Sequence, residues 1–320
     1  MDVLETLGEI GLIPLAVIDQ PEDAAGLVKA LKAGGIGTVE ITFRTQCAAE
    51  AIRQAKREVP DFLVGAGTVV NPDQAKEAVR AGADYIVMPG FDDAVVDWCR
   101  ANGVLIIPGC VTPSEIMKAL SKGLSVIKFF PAENFGGVKA CASLAAPFDS
   151  VRFLVTGGIG PENLSDYAKK DFIHSIGGSW LCGREAVKAK SWDKITAAAK
   201  EAVAKLLGFE VVHVGVNTEG PEEAAEISGE LSDAFGFPRF VNPASTFVGT
   251  GFEINHSAGL GKNGHVAIDT NSVARAEYYL STYAGISFND ASRVKNGDKT
   301  AVVYLEKEFG GFAVHLRQRK

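Results

Sequence analysis

The chain has 320 residues, enough for one large α/β barrel plus a smaller domain or for two medium domains, and its 47% hydrophobic and 22% charged content is that of an ordinary globular protein. A net charge of −7 without any Lys/Arg-rich run argues against general electrostatic binding to nucleic acid or to an anionic membrane, while leaving room for a local anion pocket. No apolar stretch approaches membrane-spanning length, and the start, with Asp2, Glu5 and Glu9, lacks a secretory pattern. Cys47, Cys99, Cys110, Cys141 and Cys182 are scattered without a Cys-x-x-Cys pair, so reduced thiols in a cytoplasmic protein are expected.

From residue 12 to about 205, short apolar runs alternate with longer amphipathic ones. The predicted strands are Leu12–Asp19, Thr38–Arg44, Phe62–Val69, Tyr85–Gly90, Leu105–Val111, Ser125–Pro131, Arg152–Ile159 and Phe172–Leu181. Between them lie predicted helices such as Pro21–Ala33, Ala48–Val59, Pro72–Ala81 and Pro113–Ser121. Eight such units, finished by a helix near Trp192–Leu207, fit a (β/α)8 TIM barrel, whose usual size is about 200–250 residues. A doubly wound open sheet has the same local pattern, because closure is invisible locally.

In a barrel, chemistry collects at the C-terminal ends of the strands. In the second strand, Val39-Glu40-Ile41-Thr42-Phe43-Arg44, a period of two puts Glu40, Thr42 and Arg44 on one face. If that face lines the barrel, Glu40 can move protons and Arg44 can clamp a carboxylate bidentately. The third strand closes on Gly65-Ala66-Gly67-Thr68, where glycines let a backbone approach a ligand closely. The sixth, Ser125-Val126-Ile127-Lys128-Phe129-Phe130-Pro131, places a lysine inside an apolar run. Burial disfavours the ammonium, and a neutral lysine amine attacks carbonyls to form a Schiff base. The plainer readings are a lysine snorkelling from a strand end or a buried structural ion pair. The seventh and eighth strands close on Thr156-Gly157-Gly158 and Gly177-Gly178-Ser179, and two glycine pairs at those ends point to an anionic substrate group.

The texture changes after Gly208, which predicts domains 1–208 and 209–320. His213-Val-Gly-Val-Asn217 leads into a helix-like Pro221–Ala234, and His265-Val-Ala-Ile-Asp269 leads into Ser272–Tyr283. Each half continues into strand-like, turn-punctuated sequence, so a smaller α+β domain of paired β-α-β-β-β modules is expected.

Val39–Thr45, Gly65–Val69, Lys128–Ala132, Thr156–Ile159 and Gly177–Leu181 together resemble the 2-keto-3-deoxy-6-phosphogluconate / 4-hydroxy-2-oxoglutarate aldolase family over residues 8–206. The resemblance implies a class I aldolase that needs no cofactor and is commonly a homotrimer. Its substrate would be a small keto acid, cleaved to pyruvate and glyceraldehyde 3-phosphate, or to pyruvate and glyoxylate from 4-hydroxy-2-oxoglutarate. By resemblance Lys128 is the Schiff-base lysine and Glu40 the general acid/base, while Arg44 and Thr68 hold the pyruvate-derived carboxylate. Thr156, Gly157, Gly158 and Ser179 surround the substrate chain and its phosphate, with Pro89 and Phe130 as pocket walls. A rival class, the phosphosugar isomerases and epimerases, uses such a barrel without covalent chemistry and would leave Lys128 an electrostatic group.

The second half is similar to the vicinal oxygen chelate superfamily, which includes glyoxalase I and extradiol dioxygenases. The resemblance rests on the repeat, on Gly251-Phe252-Glu253-Ile254-Asn255 and on Gly264-His265-Val266. It implies a divalent metal held by His213, Glu253, His265 and His315, with His315 standing where glutamate is commoner. Three imidazoles and a carboxylate suit Zn, Ni, Fe or Mn. Alternatively these are hydrogen-bonded strand histidines in an assembly module. His174 and His256 are read as structural.

Overall fold

Eight short parallel strands wind around one axis in the first half of the chain: β1 (Leu12–Ala16), β2 (Thr38–Thr42), β3 (Leu63–Gly67), β4 (Tyr85–Val87), β5 (Leu105–Ile107), β6 (Val126–Phe129), β7 (Arg152–Thr156) and β8 (Ile173–Gly178). The computed structural model describes residues 2–319, and the chain divides into two compact units between Leu206 and Leu207. Pairing in the first unit runs β5-β4-β3-β2-β1-β8-β7-β6. The ring is completed by a parallel bridge between Gly109 and Lys128: the Lys128 N–H donates to Pro108 O (2.8 Å), and the Cys110 N–H donates to Lys128 O (2.9 Å). A Cβ at Gly109 would collide with the Pro89 carbonyl, so glycine lets the segment after β5 lie close against the one after β4. The Gly109–Lys128 seam makes the sheet a barrel instead of an open doubly wound sheet.

The predicted strands run beyond the observed ones at their C-terminal ends, because their apolar pattern continues into loops that line the barrel mouth. The second strand ends at Thr42, so Arg44 follows it in a turn and is exposed. Arg44 therefore sits in a turn at the mouth, just beyond the strand that carries Glu40. The last strand ends at Gly178 instead of Leu181: the Trp180 ring folds back over Gly178, and Trp180–Cys182 form a turn of 3-10 helix.

Sequence periodicity also passed over a helix, Val3–Ile10, capped by the Asp2 carboxylate, which accepts from the Leu4 N–H at 2.8 Å. Its Leu7 is fully buried in a cluster with Ile13, Tyr85, Val87, Ile107, Val126 and Leu154, with Val3 and Leu4 packed against it. The N-terminal mouth of the barrel is thus plugged with apolar side chains, and the polar groups are left to the opposite mouth. Replacing Leu7 with alanine should cost about 2–5 kcal/mol of stability in urea unfolding. KM should stay unchanged, since the plug lies at the other end from the site.

The second unit is one mixed sheet. Its strands are β9 (Glu210–Val216), β10 (Arg239–Val241), β11 (Ser245–Val248), β12 (Phe252–Asn255), β13 (Gly264–Thr270), β14 (Phe288–Asn296), β15 (Lys299–Leu305) and β16 (Phe312–Gln318). The order β10-β11-β12-β9-β13-β16-β15-β14 is two copies of one pattern joined at β9 and β13, with helices Pro221–Phe235 and Val273–Ala284 after the first strand of each copy. The paired β-α-β-β-β expectation is met. No helix among the described residues is long and apolar enough to cross a membrane.

Candidate functional site

Lys128 is the third residue of β6, only 4% exposed, in register with Leu154 of β7. Its Nζ lies 3.3 Å from Oε1 of Glu40, which is fully buried on β2, and 5.6 Å from the centroid of the Phe130 ring. A carboxylate fits on β2 because β3 offers no side chain beside it: a Cβ at Gly67 would collide with Glu40. Gly67 therefore makes room for the Glu40 side chain, where the sequence suggested close approach to a ligand. Glu40 pairs with Gly65 and Thr42 with Gly67 across the same seam, so β2 and β3 are matched along their length.

The details of the pair separate a structural ion pair from a reactive one. Buried ion pairs are stabilising only with good geometry and with their remaining lone pairs satisfied. Here 3.3 Å exceeds the about 2.7–2.9 Å of a strong charge-assisted bond, and Oε2 of Glu40 is buried without any hydrogen-bond partner. The hydroxyl of Thr156, at the end of β7, is likewise buried and unpartnered. Such orphaned groups are rare and call for an explanation, which a reacting ligand supplies. Together they offer a proton acceptor and a hydroxyl at the same end of the barrel as the amine.

The remaining residues singled out from sequence fall around the mouth. Thr68, directly after β3, is a β-branched residue at φ +58°, a sparsely populated conformation that costs about 1–3 kcal/mol and clusters at functional sites. Gly157 (φ +101°) and Gly158 (φ +77°) follow β7 in conformations that L side chains avoid, and a Cβ would meet Pro131 at the first and Glu133 at the second. Pro89 is half-buried, with its carbonyl against Gly109 beside the Lys128 seam. Arg44 and Ser179 share a cavity of about 380 Å3 with Thr45, Cys182, Gly183 and Arg184. Arg184 was not anticipated. Its only sequence signal is a position five residues beyond Ser179, and Asp19, which holds it, is remote in the chain.

In the second unit the four central strands each carry one member of a cluster: His213 on β9, Glu253 on β12, His265 on β13 and His315 on β16. Glu253 Oε2 lies 3.1 Å from His213 Nε2 and 3.2 Å from His265 Nε2, and these two nitrogens are 3.2 Å apart. His315 is buried with neither ring nitrogen hydrogen-bonded, and the three histidines offer nitrogens within 4.8 Å of one another. Burial, with His265, His213 and Arg317 nearby, pushes the His315 imidazole down to about 3, which keeps the ring neutral. Burial also opposes ionisation of Glu253, but hydrogen bonds from His213, His265 and Ser245 outweigh it and hold the carboxyl well below its usual range.

These donors fit a divalent ion. Bonds of about 2.0–2.1 Å give donor–donor edges of about 2.9 Å in an octahedron and about 3.3 Å in a tetrahedron, and the observed 3.1–3.2 Å triangle lies between them. A Cβ at Gly215 would collide with the His265 ring, so the strand is built around that ring. By contrast, His256 lies 2.9 Å from Thr246 Oγ1, and His174 lies 3.0 Å from Leu4 O and 3.1 Å from Ser175 Oγ. Both are satisfied structural histidines.

The family model "KDPG and KHG aldolase" matches residues 3–198. The KHG/KDPG aldolase of Escherichia coli (strain K12) is 45% identical over 192 residues, 60% of this chain and 90% of that enzyme. The KDPG aldolase of Legionella pneumophila, solved with pyruvate captured as a covalent carbinolamine, is 35% identical with a TM-score of 0.61 over 63% of this chain and 98% of its own. The 2-keto-3-deoxy-6-phosphogluconate aldolase of Zymomonas mobilis ZM4, solved with 3-phosphoglycerate, is 39% identical with a TM-score of 0.58 over 62% and 94%.

Proposed function

The chain belongs to the KDPG and KHG aldolase family of class I lyases, and from that membership we propose that its barrel cleaves 2-keto-3-deoxy-6-phosphogluconate to pyruvate and glyceraldehyde 3-phosphate through an imine on Lys128. The observation that carries this reading is a lysine 4% exposed, facing a carboxylate with one oxygen left over. Lys128 attacks the C2 ketone, and the carbinolamine loses water to give a protonated imine. That imine is an electron sink: the C3–C4 bond breaks, its electrons form an enamine, and C4 becomes the aldehyde. Glu40, directly or through a water, takes the C4 hydroxyl proton in that step and later returns a proton to C3. Hydrolysis of the resulting imine releases pyruvate and restores the amine.

Arg44 and Thr68 hold the carboxylate, Thr156, Gly157, Gly158 and Ser179 the chain and its phosphate, and Pro89 and Phe130 wall the pocket. A non-covalent isomerase would also use a carboxylate base, so the imine is favoured by membership of the aldolase family and not by the carboxylate alone. The reading includes a homotrimer, carried over from the family resemblance, and a cytoplasmic location, carried over from the scattered cysteines. With pyruvate release as readout, kcat/KM for the phosphorylated acid should exceed that for 4-hydroxy-2-oxoglutarate, and the reverse order would make the shorter acid the natural substrate.

The second unit has its own reading, carried by the His213–His265–Glu253 triangle and the unpartnered His315. We infer that these four residues hold one divalent Zn, Ni, Fe or Mn ion in a domain of the vicinal oxygen chelate type. When bound, such an ion supplies a Lewis acid to an oxygen ligand. The protein's part is to bring three imidazoles and one carboxylate together on four neighbouring strands of one sheet.

A further inference from the structure

The cavity shared by Arg44 and Ser179 holds a second guanidinium, and its lining is one-sided in charge. Its walls are Leu15, Val17, Arg44, Thr45, Ser179, Cys182, Gly183 and Arg184, with two cations and no carboxylate among them. Arg44 has no ion-pair partner among the described residues. Arg184 is held from behind: its Nε–H donates to Asp19 Oδ2 at 2.8 Å and its Nη2–H to Asp19 Oδ1 at 2.6 Å. That side-on fork uses two of the five guanidinium N–H groups and leaves three for a ligand, in an orientation fixed beforehand. The Arg184 hydrogen bonds hold the Asp19 carboxyl below its usual range, so the fork persists at neutral pH.

Two guanidiniums around one small cavity repel each other, and a ligand with two separate anionic ends relieves that repulsion. We propose that Arg184, oriented by Asp19, binds the terminal phosphate of the substrate and makes the barrel select phosphorylated keto acids. Arg44 then serves the carboxylate end. Ser179 lines the same cavity, and its hydroxyl is available to donate to a phosphate oxygen. This deepens the aldolase reading and rests on it. Asp19 is a positioning residue here, since it touches Arg184 and not the substrate.

The test compares three variants, Arg184→Gln, Asp19→Asn and Lys188→Gln. Lys188 lines a different cavity beside Asp19 and Arg184 and serves as a charge-matched control. A charge-assisted hydrogen bond to phosphate sets the scale, so Arg184→Gln should raise KM for the phosphorylated acid about 10- to 100-fold. The same variant should leave the rate of borohydride trapping with pyruvate, which has no distal anion, at the wild-type value. Asp19→Asn should raise KM by a smaller factor, because the guanidinium remains but is no longer held. Lys188→Gln should leave both measurements unchanged.

Three results overturn the proposal: KM within twofold of wild type in Arg184→Gln, an equal loss of pyruvate trapping, or an equal rise in KM in Lys188→Gln. Wild-type protein that traps no pyruvate is a distinct outcome, which overturns the aldolase reading and this one with it.

Discussion

Lys128→Met should abolish turnover, with kcat falling by about four orders of magnitude or more, and should abolish borohydride trapping of pyruvate. The amine forms the covalent bond on which every later step depends, and no other residue near it can replace that chemistry. Methionine keeps the length and apolar stem, so the lumen stays filled. The substitution also leaves Glu40 fully buried without its cation, and breaking a buried pair in this way costs about 3–5 kcal/mol. A loss of activity could then reflect unfolding. The double variant Lys128→Met/Glu40→Gln removes the stranded charge and should recover stability in urea unfolding without recovering activity or trapping. If the single variant is folded and still traps pyruvate at the wild-type position in a peptide map, Lys128 is not the nucleophile.

His213→Ala/His265→Ala in the full chain should reduce bound divalent metal from one equivalent to none. The two substitutions remove both nitrogens of the 3.1–3.2 Å triangle and leave Glu253 and His315 on separate strands. Loss of a supporting partner alone costs about 10–100-fold in metal affinity, so loss of two ligands should take binding below detection. The wild-type chain, stripped with a chelator and reloaded, should gain about 2.7 kcal/mol of stability in the second unit at a hundredfold excess over Kd, and the variant should gain nothing. Aldolase turnover should be the same in both. A wild-type chain that takes up no metal on reloading, or a variant that takes up as much, would return the histidines to a structural role.

The barrel was legible because its parallel strands are buried on both faces and its helices repeat between them, a pattern that survives in a linear string. Lys128 was legible for a related reason: a cation inside an apolar run is costly and invites a chemical explanation. Glu40 was legible as a face-sharing residue and, by resemblance, as the companion of Lys128, but their 3.3 Å contact was not, since 88 positions separate the two. The helix Val3–Ile10 was missed although its signals were present, an Asp2 cap followed by Val3, Leu4, Leu7 and Ile10 at helical spacing. Gly67 was read as ligand-facing, and only the packing revealed that Glu40 occupies the space of its missing side chain.

By itself, the amino-acid order determined the periodicities, the repeat in the second half and the residue types able to do imine and metal chemistry. These are local properties, set by backbone sterics and by the cost of burying charge. The tertiary structure decided which of those residues meet. It closed the ring at Gly109 and Lys128, moved Arg44 out to the mouth by ending β2 at Thr42, and brought Arg184 to Asp19 across 165 positions. Strand registry and closure depend on contacts distant in sequence, whose free energy exists only once the whole sheet is formed.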